Sequence, residues 1–378
     1  MAGTVAVAAA ILNAQGRVAT AAFSIVVFNA ILLAALVVVL VLHAGASRLA
    51  GDILSSSIVV AGIVQFVLVA AALRGSPDCP QRPSVTLSPA VRRFFAGALP
   101  GVVASGAPQL KLMVGAMVAS PSQAAVSWLY YANRLYELPL GVVSVAVASV
   151  LGPRIAASVL AGERSVLAAA QSRAFEIALG LALPSAVAFV TLADPIAGGL
   201  FERGAFGASD TAAVAAALAA MSAGLPGHVL EKVLGAVSFG HQDTRTPMWA
   251  AVAGLASATV LALVLFPLYA QVGVAAAIAV SGWVGASILA VLLWRRRWLA
   301  LDQLAGRRVP AILLATAAMG VAIVGTDAFV AMIFDVAGSS LSRLASLAGL
   351  VILGLTVYLL ALQVLGVVRI RELIAAVR

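Results

Sequence analysis

The chain has 378 residues, 63% hydrophobic and 10% charged, with a mean hydropathy of +1.11. A soluble domain carries about 25% charged residues, and 23 Lys and Arg with 14 Asp and Glu are too few and too clustered to clothe a water-soluble core of this size. The net charge of +9 raises nucleic acid or an anionic membrane surface as partners, whereas the single cysteine, Cys79, and the scattered His43, His228 and His241 give no disulfide framework and no metal-ligand spacing.

A bilayer-spanning helix needs about 20 mostly apolar residues. Residues 1–15 fall short, with about 12 apolar positions before Asn13 and Gln15 and no basic stretch that would make a signal peptide. This run reads either as a half-buried leader or as what remains of an earlier helix in a longer protein, and the second reading is preferred. About ten complete spans follow, over 19–43, 53–73, 94–119, 124–151, 173–193, 211–240, 247–268, 272–294, 309–334 and 344–368. The uncharged stretch 246–294 is too long for one span, and Pro267, Tyr269, Gln271 and Gly273 supply a turn that divides it.

The basic residues alternate between the loops so defined. One set holds Arg17; Arg74, Arg82, Arg92 and Arg93; Arg154, Arg164 and Arg173; Arg245; Arg295, Arg296, Arg297, Arg307 and Arg308; and Arg369, Arg371 and Arg378. The opposite set holds only Arg48, Arg203 and Arg343, and Lys111, Arg134 and Lys232 fall inside spans. Short cytoplasmic loops carry the excess of Lys and Arg, so the first set is cytoplasmic and the C-terminus lies inside. The positive charge is then a topological signal more than a nucleic-acid footprint. Small residues such as Gly97, Gly101, Ser105 and Gly106 permit close helix approach. Pro100, Pro108, Pro139, Pro184, Pro226 and Pro247, in or at the ends of spans, fit either the kinked, moving helices of a transporter or kinks that serve packing.

A charge near the middle of a membrane helix costs about 2.5–3.5 kcal/mol on insertion scales, so each one is a candidate for function. The densest group lies in the fourth span, where Asn133, Arg134 and Glu137 share one helix face at i+3 and i+4 spacing. An arginine with a partial counter-charge suits a phosphate or pyrophosphate, because its planar fork donates paired hydrogen bonds. The alternative is a structural Arg134–Glu137 pair. Lys111, two residues after Gln109 in the preceding span, either adds a second cation to the same cavity or pairs with Glu176 or Glu137. Lys232 beside Glu231 is either functional or snorkels towards the interface. Asp194, Asp210, Asp243, Asp327 and Asp335 sit near span ends, where caps and solvation explain them. With no acid–base pair and no Walker A sequence, neither an enzyme nor an ATP-driven pump is indicated.

Residues 126–142, VSWLYYANRLYELPLGV, resemble the signature of the MurJ/MviN lipid II flippase family, within the multidrug/oligosaccharidyl-lipid/polysaccharide exporter superfamily. The segments ILNAQGR at 11–17, LFERGAF at 200–206 and QDTRTP at 242–247 fall in the family's order. The resemblance implies an all-α polytopic membrane protein drawn from a fourteen-helix, two-lobe fold. Residues 1–88 would be the last helices of the N-terminal lobe, 89–298 the six-helix C-terminal lobe, and 299–378 two added helices that form a groove for the lipid tail. It further implies that lipid-linked peptidoglycan precursor moves from the cytoplasmic to the outer leaflet by alternating access. Arg134 carries over as the pyrophosphate contact, with Asn133, Glu137, Lys111 and Gln109 as neighbouring substrate contacts.

Three departures accompany the resemblance. The first spans, which carry the family's other cavity arginines, have no counterpart here, so the chain reads as N-terminally truncated. Asn133 stands where the family often has Asp. The stretch Leu112 to Gly115 lacks the acid of sodium-binding members, and so does 246–294, which leaves membrane potential or the substrate gradient as the drive. The expectation is a multi-pass protein of a bacterial inner membrane that acts in cell-wall biogenesis and cell shape. Lipid II and membrane lipids are its expected partners, with cell-wall synthesis proteins as further candidates and no nucleic acid, cofactor or metal. A flippase for another polyprenyl-linked oligosaccharide and a non-transporting membrane scaffold are the alternatives.

Overall fold

The computed structural model describes residues 2–14, 17–45, 47–74, 89–122, 124–333 and 340–367. Gln15, Cys79, Arg82, Asp335, Arg369, Arg371 and Arg378 lie outside the described residues, as do the side chains of Asn13, Arg93, Asp327 and Arg343. Residue contacts divide the chain into two compact units, Met1–Leu87 and Ser88–Arg378.

The first unit contains α1 (Ala2–Ala14), α2 (Val18–Val41) and α3 (Arg48–Leu73). At 1.5 Å per residue the 13 residues of α1 reach about 20 Å, against a hydrocarbon layer of about 30 Å. Val5 and Leu12, two turns apart, pack on Val69 and Leu73 of α3. The Arg17 guanidinium, between α1 and α2, donates to the Ala72 carbonyl at 2.7 Å. Ser47 caps α3 by accepting from the Ala50 amide at 3.2 Å.

The second unit starts with α4 (Pro89–Ala119) and α5 (Ala125–Ala146). The helix of α5 continues through a π-helical segment, Val147–Leu151, into α6 (Gly152–Ala161), which ends at Gly162 in the left-handed conformation. Next come α7 (Arg164–Thr191), the short α8 (Ala193–Phe201), α9 (Ala208–Ser222) and α10 (Leu225–Gly240). The last two meet at a 41° bend, so the span expected over 211–240 is a broken one.

α11 (Arg245–Arg295) is 51 residues long, about 77 Å as a straight rod, but Ala270 interrupts it with φ 48° and ψ −130°. The break falls inside the Pro267–Gly273 cluster that the sequence marks as a turn. α12 (Ala305–Ile333) and α13 (Ser340–Val364) complete the unit. Gln171 and Ser172 of α7 receive the connection before α12: Gln171 donates to the Trp298 carbonyl at 2.9 Å and accepts from the Ala300 amide at 2.8 Å, and Ser172 Oγ accepts from the Asp302 amide at 2.9 Å. Arg308 of α12 then donates to both oxygens of the buried Glu176 at 3.1 and 3.0 Å, and Arg173 stands 3.4 Å from the same carboxylate.

The Lys111–Glu231 and Arg308–Glu176 pairs lie between helices while large apolar side chains face outward, Val321 at 75% and Val364 at 85% exposure among them. That inversion of the water-soluble pattern is what a lipid solvent requires. Among the described residues, seven helices are long and apolar enough to cross a membrane, or eight with the bent α9–α10 pair counted as one span.

Candidate functional site

The signature helix α5 is anchored at its N-terminal end. The Trp128 indole donates to Asp210 Oδ1 at 2.8 Å, and Asp210 also accepts from the Gly207 amide at the start of α9. Tyr131 packs on Phe201 and Phe206, with ring centroids 4.8 and 5.4 Å away. One turn further along, Asn133 Nδ2 donates to Glu137 Oε1 at 2.9 Å, and Arg134 Nη1 lies 3.4 Å from Glu137 Oε2. The Arg134 guanidinium carbon stands 5.7 Å from the Tyr130 ring centroid, within cation–π range. Its side chain is 64% exposed, so most of its five donors face outward from the unit. The expected trio Asn133, Arg134 and Glu137 is therefore one cluster, in which the internal ion pair and a free guanidinium face coexist.

Gln109 and Lys111 of α4 do not join it. Gln109 is exposed. Lys111 is 4% exposed and sits 3.8 Å from Glu231 of α10, not beside Glu176 or Glu137 as the sequence suggested. Glu176 is occupied by Arg173 and Arg308, and Glu137 by its own helix, which leaves Glu231 as the acid facing α4.

α10 carries a polar stripe within this interior. Tyr136 Oη lies 2.7 Å from His228 Nδ1, a hydrogen bond whose direction follows the imidazole tautomer. Three residues on, Glu231 meets Lys111, so α10 is tied to α5 by one link and to α4 by the other. Both side chains need room against the second half of α11, and glycines provide it. A Cβ on Gly282 would come within 2.5 Å of His228 Nδ1, and one on Gly285 within 2.7 Å of the Glu231 carboxyl. The two i, i+3 pairs, His228 with Glu231 and Gly282 with Gly285, thus mesh across the helices. The sequence held this signal as matched spacings, but it requires knowing that α10 and α11 are neighbours.

A cavity of about 510 Å³ opens beside this stripe. Its walls come from α4 (Ala104, Ser105, Pro108), α5 and the π segment (Leu140, Ser144, Val147, Ala148), α6 (Gly152, Pro153, Ala156), α10 and α11 (Pro247, Ala251, Leu289). Its charged or polar end is formed by His228, Glu231 and Lys232. None of Gln109, Lys111, Asn133, Arg134 and Glu137 lines it. Among the described residues no group of His, Cys, Asp and Glu is placed to hold a metal ion.

At the end of α10, the QDTRTP segment forms a second polar knot. Asp243 accepts from the amides of Arg245 and Thr246 at 3.0 and 3.1 Å, from the Thr246 hydroxyl and from Arg296. Burial pushes its carboxyl up, but the hydrogen bonds from Thr246, Arg296 and Arg245 together outweigh it and hold the carboxyl below the usual carboxylate range. His241 stacks on Trp298 at 4.3 Å between centroids. The motif thus clamps the α10–α11 connection to the chain just after α11.

The model of the family "Lipid II flippase MurJ" matches residues 1–346. A probable lipid II flippase MurJ of Rhizobium meliloti (strain 1021) is 38% identical over 357 residues, which cover 93% of this chain and 66% of that protein. The corresponding protein of Rhizobium tropici is 36% identical over 313 residues, covering 83% of this chain and 59% of its own length. This chain thus spans about three-fifths to two-thirds of the length of these curated relatives. A solved structure of lipid II flippase MurJ in an inward closed conformation superposes with a TM-score of 0.72, covering 98% of this chain and 72% of that one at 20% identity, a likeness of fold alone. With the family model matched over 346 of its 378 residues, this chain belongs to the lipid II flippase MurJ family.

Proposed function

We propose that this chain translocates lipid II, the polyprenyl-diphosphate-linked peptidoglycan precursor, from the cytoplasmic to the outer leaflet of a bacterial inner membrane. The observation that carries the proposal is the family match over residues 1–346, together with curated relatives that bear the name of probable lipid II flippase over most of this chain. Transport of this kind needs no bond to be made or broken, and it needs a polar path through protein with the tail left in lipid. Arg134 suits the diphosphate contact, because its guanidinium is mostly exposed while Glu137 and Tyr130 fix its position. Asn133 holds the second oxygen of Glu137, which leaves the arginine less neutralised than a second acid there would. Gln109 lies on the neighbouring helix α4, and Lys111 supports the site from within by holding α4 to α10.

In the membrane, α5 counts as a span beside those apolar enough on their own, and α11 as two spans divided at Ala270, which makes ten complete crossings in all. The cytoplasmic side is then the one bearing Arg154, Arg164, Arg245 and Arg295, with the C-terminus on the same side. Residues 1–88 belong to one lobe and 89–298 to the other. α12 and α13, packed on α7 and α8, supply the face for the lipid tail, and alternating access opens the path to each leaflet in turn.

The test is genetic. In a bacterium depleted of its own lipid II flippase, the gene encoding this sequence restores growth and cell shape, and Arg134→Ala abolishes the rescue. Failure of the unaltered gene, with the protein present in the membrane, sinks the lipid II assignment and points to another polyprenyl-linked oligosaccharide or to a scaffold role. Rescue by Arg134→Ala sinks the assigned contact.

A further inference from the structure

Among the described residues, the charges inside the spans of the second unit can be paired off, and one is left over. Glu137 is held by Arg134 and Asn133, Glu176 by Arg173 and Arg308, and Glu231 by Lys111. Lys232 has no hydrogen bond or salt bridge among the described residues, although it lines the cavity beside Glu231. Lys232 from the lining and Lys111 from outside it therefore flank one carboxylate, and these three side chains together carry a net positive charge.

The rest of the lining is mostly apolar, and the two serines in it already donate to their own helices, Ser105 to the Gly101 carbonyl at 2.8 Å and Ser144 to the Leu140 carbonyl. Lys232, whose ammonium makes no hydrogen bond among the described residues, thus lines a space of about 510 Å³, within the size range of ligand pockets. An uncompensated cation in such surroundings is costly unless an anion joins it. Membrane amphiphiles carry their negative charge chiefly as phosphate esters, and apolar walls next to a cation suit a molecule with both parts. The π segment gives Val147 and Ala148 to this wall, with Gly152 just after it, and π-helical turns recur at functional sites.

We propose that the Lys232 ammonium is a phosphate-binding group that takes the phosphate or diphosphate of an amphiphile in the cavity between α4, α5 and α10. The site is separate from the Arg134 cluster, whose residues do not line this cavity. As a second station for the diphosphate of the transported lipid, it rests on the function proposed above. As a phospholipid headgroup site it does not.

The experiment measures binding of farnesyl diphosphate to the purified full chain in detergent, with phosphatidylglycerol as competitor, in the unaltered protein, Lys232→Gln, Lys232→Arg and Ser105→Phe. Lys232→Gln weakens diphosphate binding by about tenfold or more, Lys232→Arg retains it, and Ser105→Phe, which fills the cavity from the opposite wall, weakens it without touching the charge. Should Lys232→Gln fail to fold, Ser105→Phe still decides. If phosphatidylglycerol displaces the diphosphate at equal concentration, the site stands as a general phospholipid site and lends the flippase assignment nothing. Diphosphate binding that survives both Lys232→Gln and Ser105→Phe overturns the site and leaves that assignment intact. Absence of binding of either lipid to the folded, unaltered protein also overturns the site.

Discussion

Because two lysines share Glu231, the three members of this cluster should respond unequally to replacement. Glu231→Gln keeps the volume but leaves Lys111 and Lys232 facing each other with no counter-charge. At 3.8 Å and an effective dielectric of about 20, the Lys111–Glu231 attraction amounts to about 4 kcal/mol, and removing one member of a buried pair typically costs about 3–5 kcal/mol. Lys111→Met removes the same attraction, but Glu231 keeps Lys232 as its neighbour, so the cost falls to about 1–2 kcal/mol. Lys232→Met removes the unmatched charge and the repulsion it exerts on Lys111, and stability stays within about 1 kcal/mol of the unaltered protein. The order is read from unfolding midpoints in detergent micelles, by circular dichroism on heating or in graded SDS. Equal losses for Glu231→Gln and Lys111→Met, or a loss for Lys232→Met as large as that for Glu231→Gln, would refute the shared-carboxylate arrangement.

Three further outcomes follow from the packing and the caps. Gly282→Ala and Gly285→Ala drive a methyl into His228 and Glu231 and lower stability by about 1–3 kcal/mol, whereas Gly141→Ala, which meets nothing within 4 Å, is neutral or slightly stabilising in the same melts. Asp243→Asn weakens the start of α11 by about 0.5–2 kcal/mol at pH 7. Because the folded carboxyl titrates below its ordinary value of about 3.9, this contribution is complete above that pH and is lost as pH falls through the folded value. The melting curves of the two proteins therefore converge in strong acid, and a difference that persists unchanged there counts against the cap. Arg308→Ala destabilises more than Arg173→Ala in thermal melts, because Arg308 makes the two shorter bonds to Glu176 and joins α12 to α7.

The helices were legible wherever hydropathy and charge agreed. α2 covers 18–41 where 19–43 was expected, α7 contains 173–191 of the span set at 173–193, and the break at Ala270 falls between Pro267 and Gly273. What the sequence left open was what its glycine and proline signals would do to each helix. The bend between Ser222 and Leu225 falls at Gly224 and Pro226, which the sequence marks only as a kink within one span, α8 is short, and the helix of α5 runs on through the π segment to Ala161 past Gly152, Pro153 and Arg154, because a proline is tolerated in the first turn of a helix.

The local cluster of Asn133, Arg134 and Glu137 was visible because i+3 and i+4 spacing fixes neighbours on one helix. Lys111 found Glu231, 120 residues away, and that choice depends on which helix faces α4. The Tyr136–His228 pair escaped the sequence reading for the same reason. Spacing along one helix is written in the sequence, whereas partners across helices are set by the packing of glycines such as Gly282 and Gly285.

The central claim is that lipid II crosses the membrane through this protein with Arg134 on its diphosphate. It is tested most directly by the fraction of lipid II in the outer leaflet, read with a membrane-impermeant enzyme that cleaves it, in cells whose own flippase has been depleted. The account predicts that expression of this protein restores cleavage and that Arg134→Ala, present at the same level, does not. Restored cleavage with Arg134→Ala, or none with the unaltered protein correctly inserted, would contradict it.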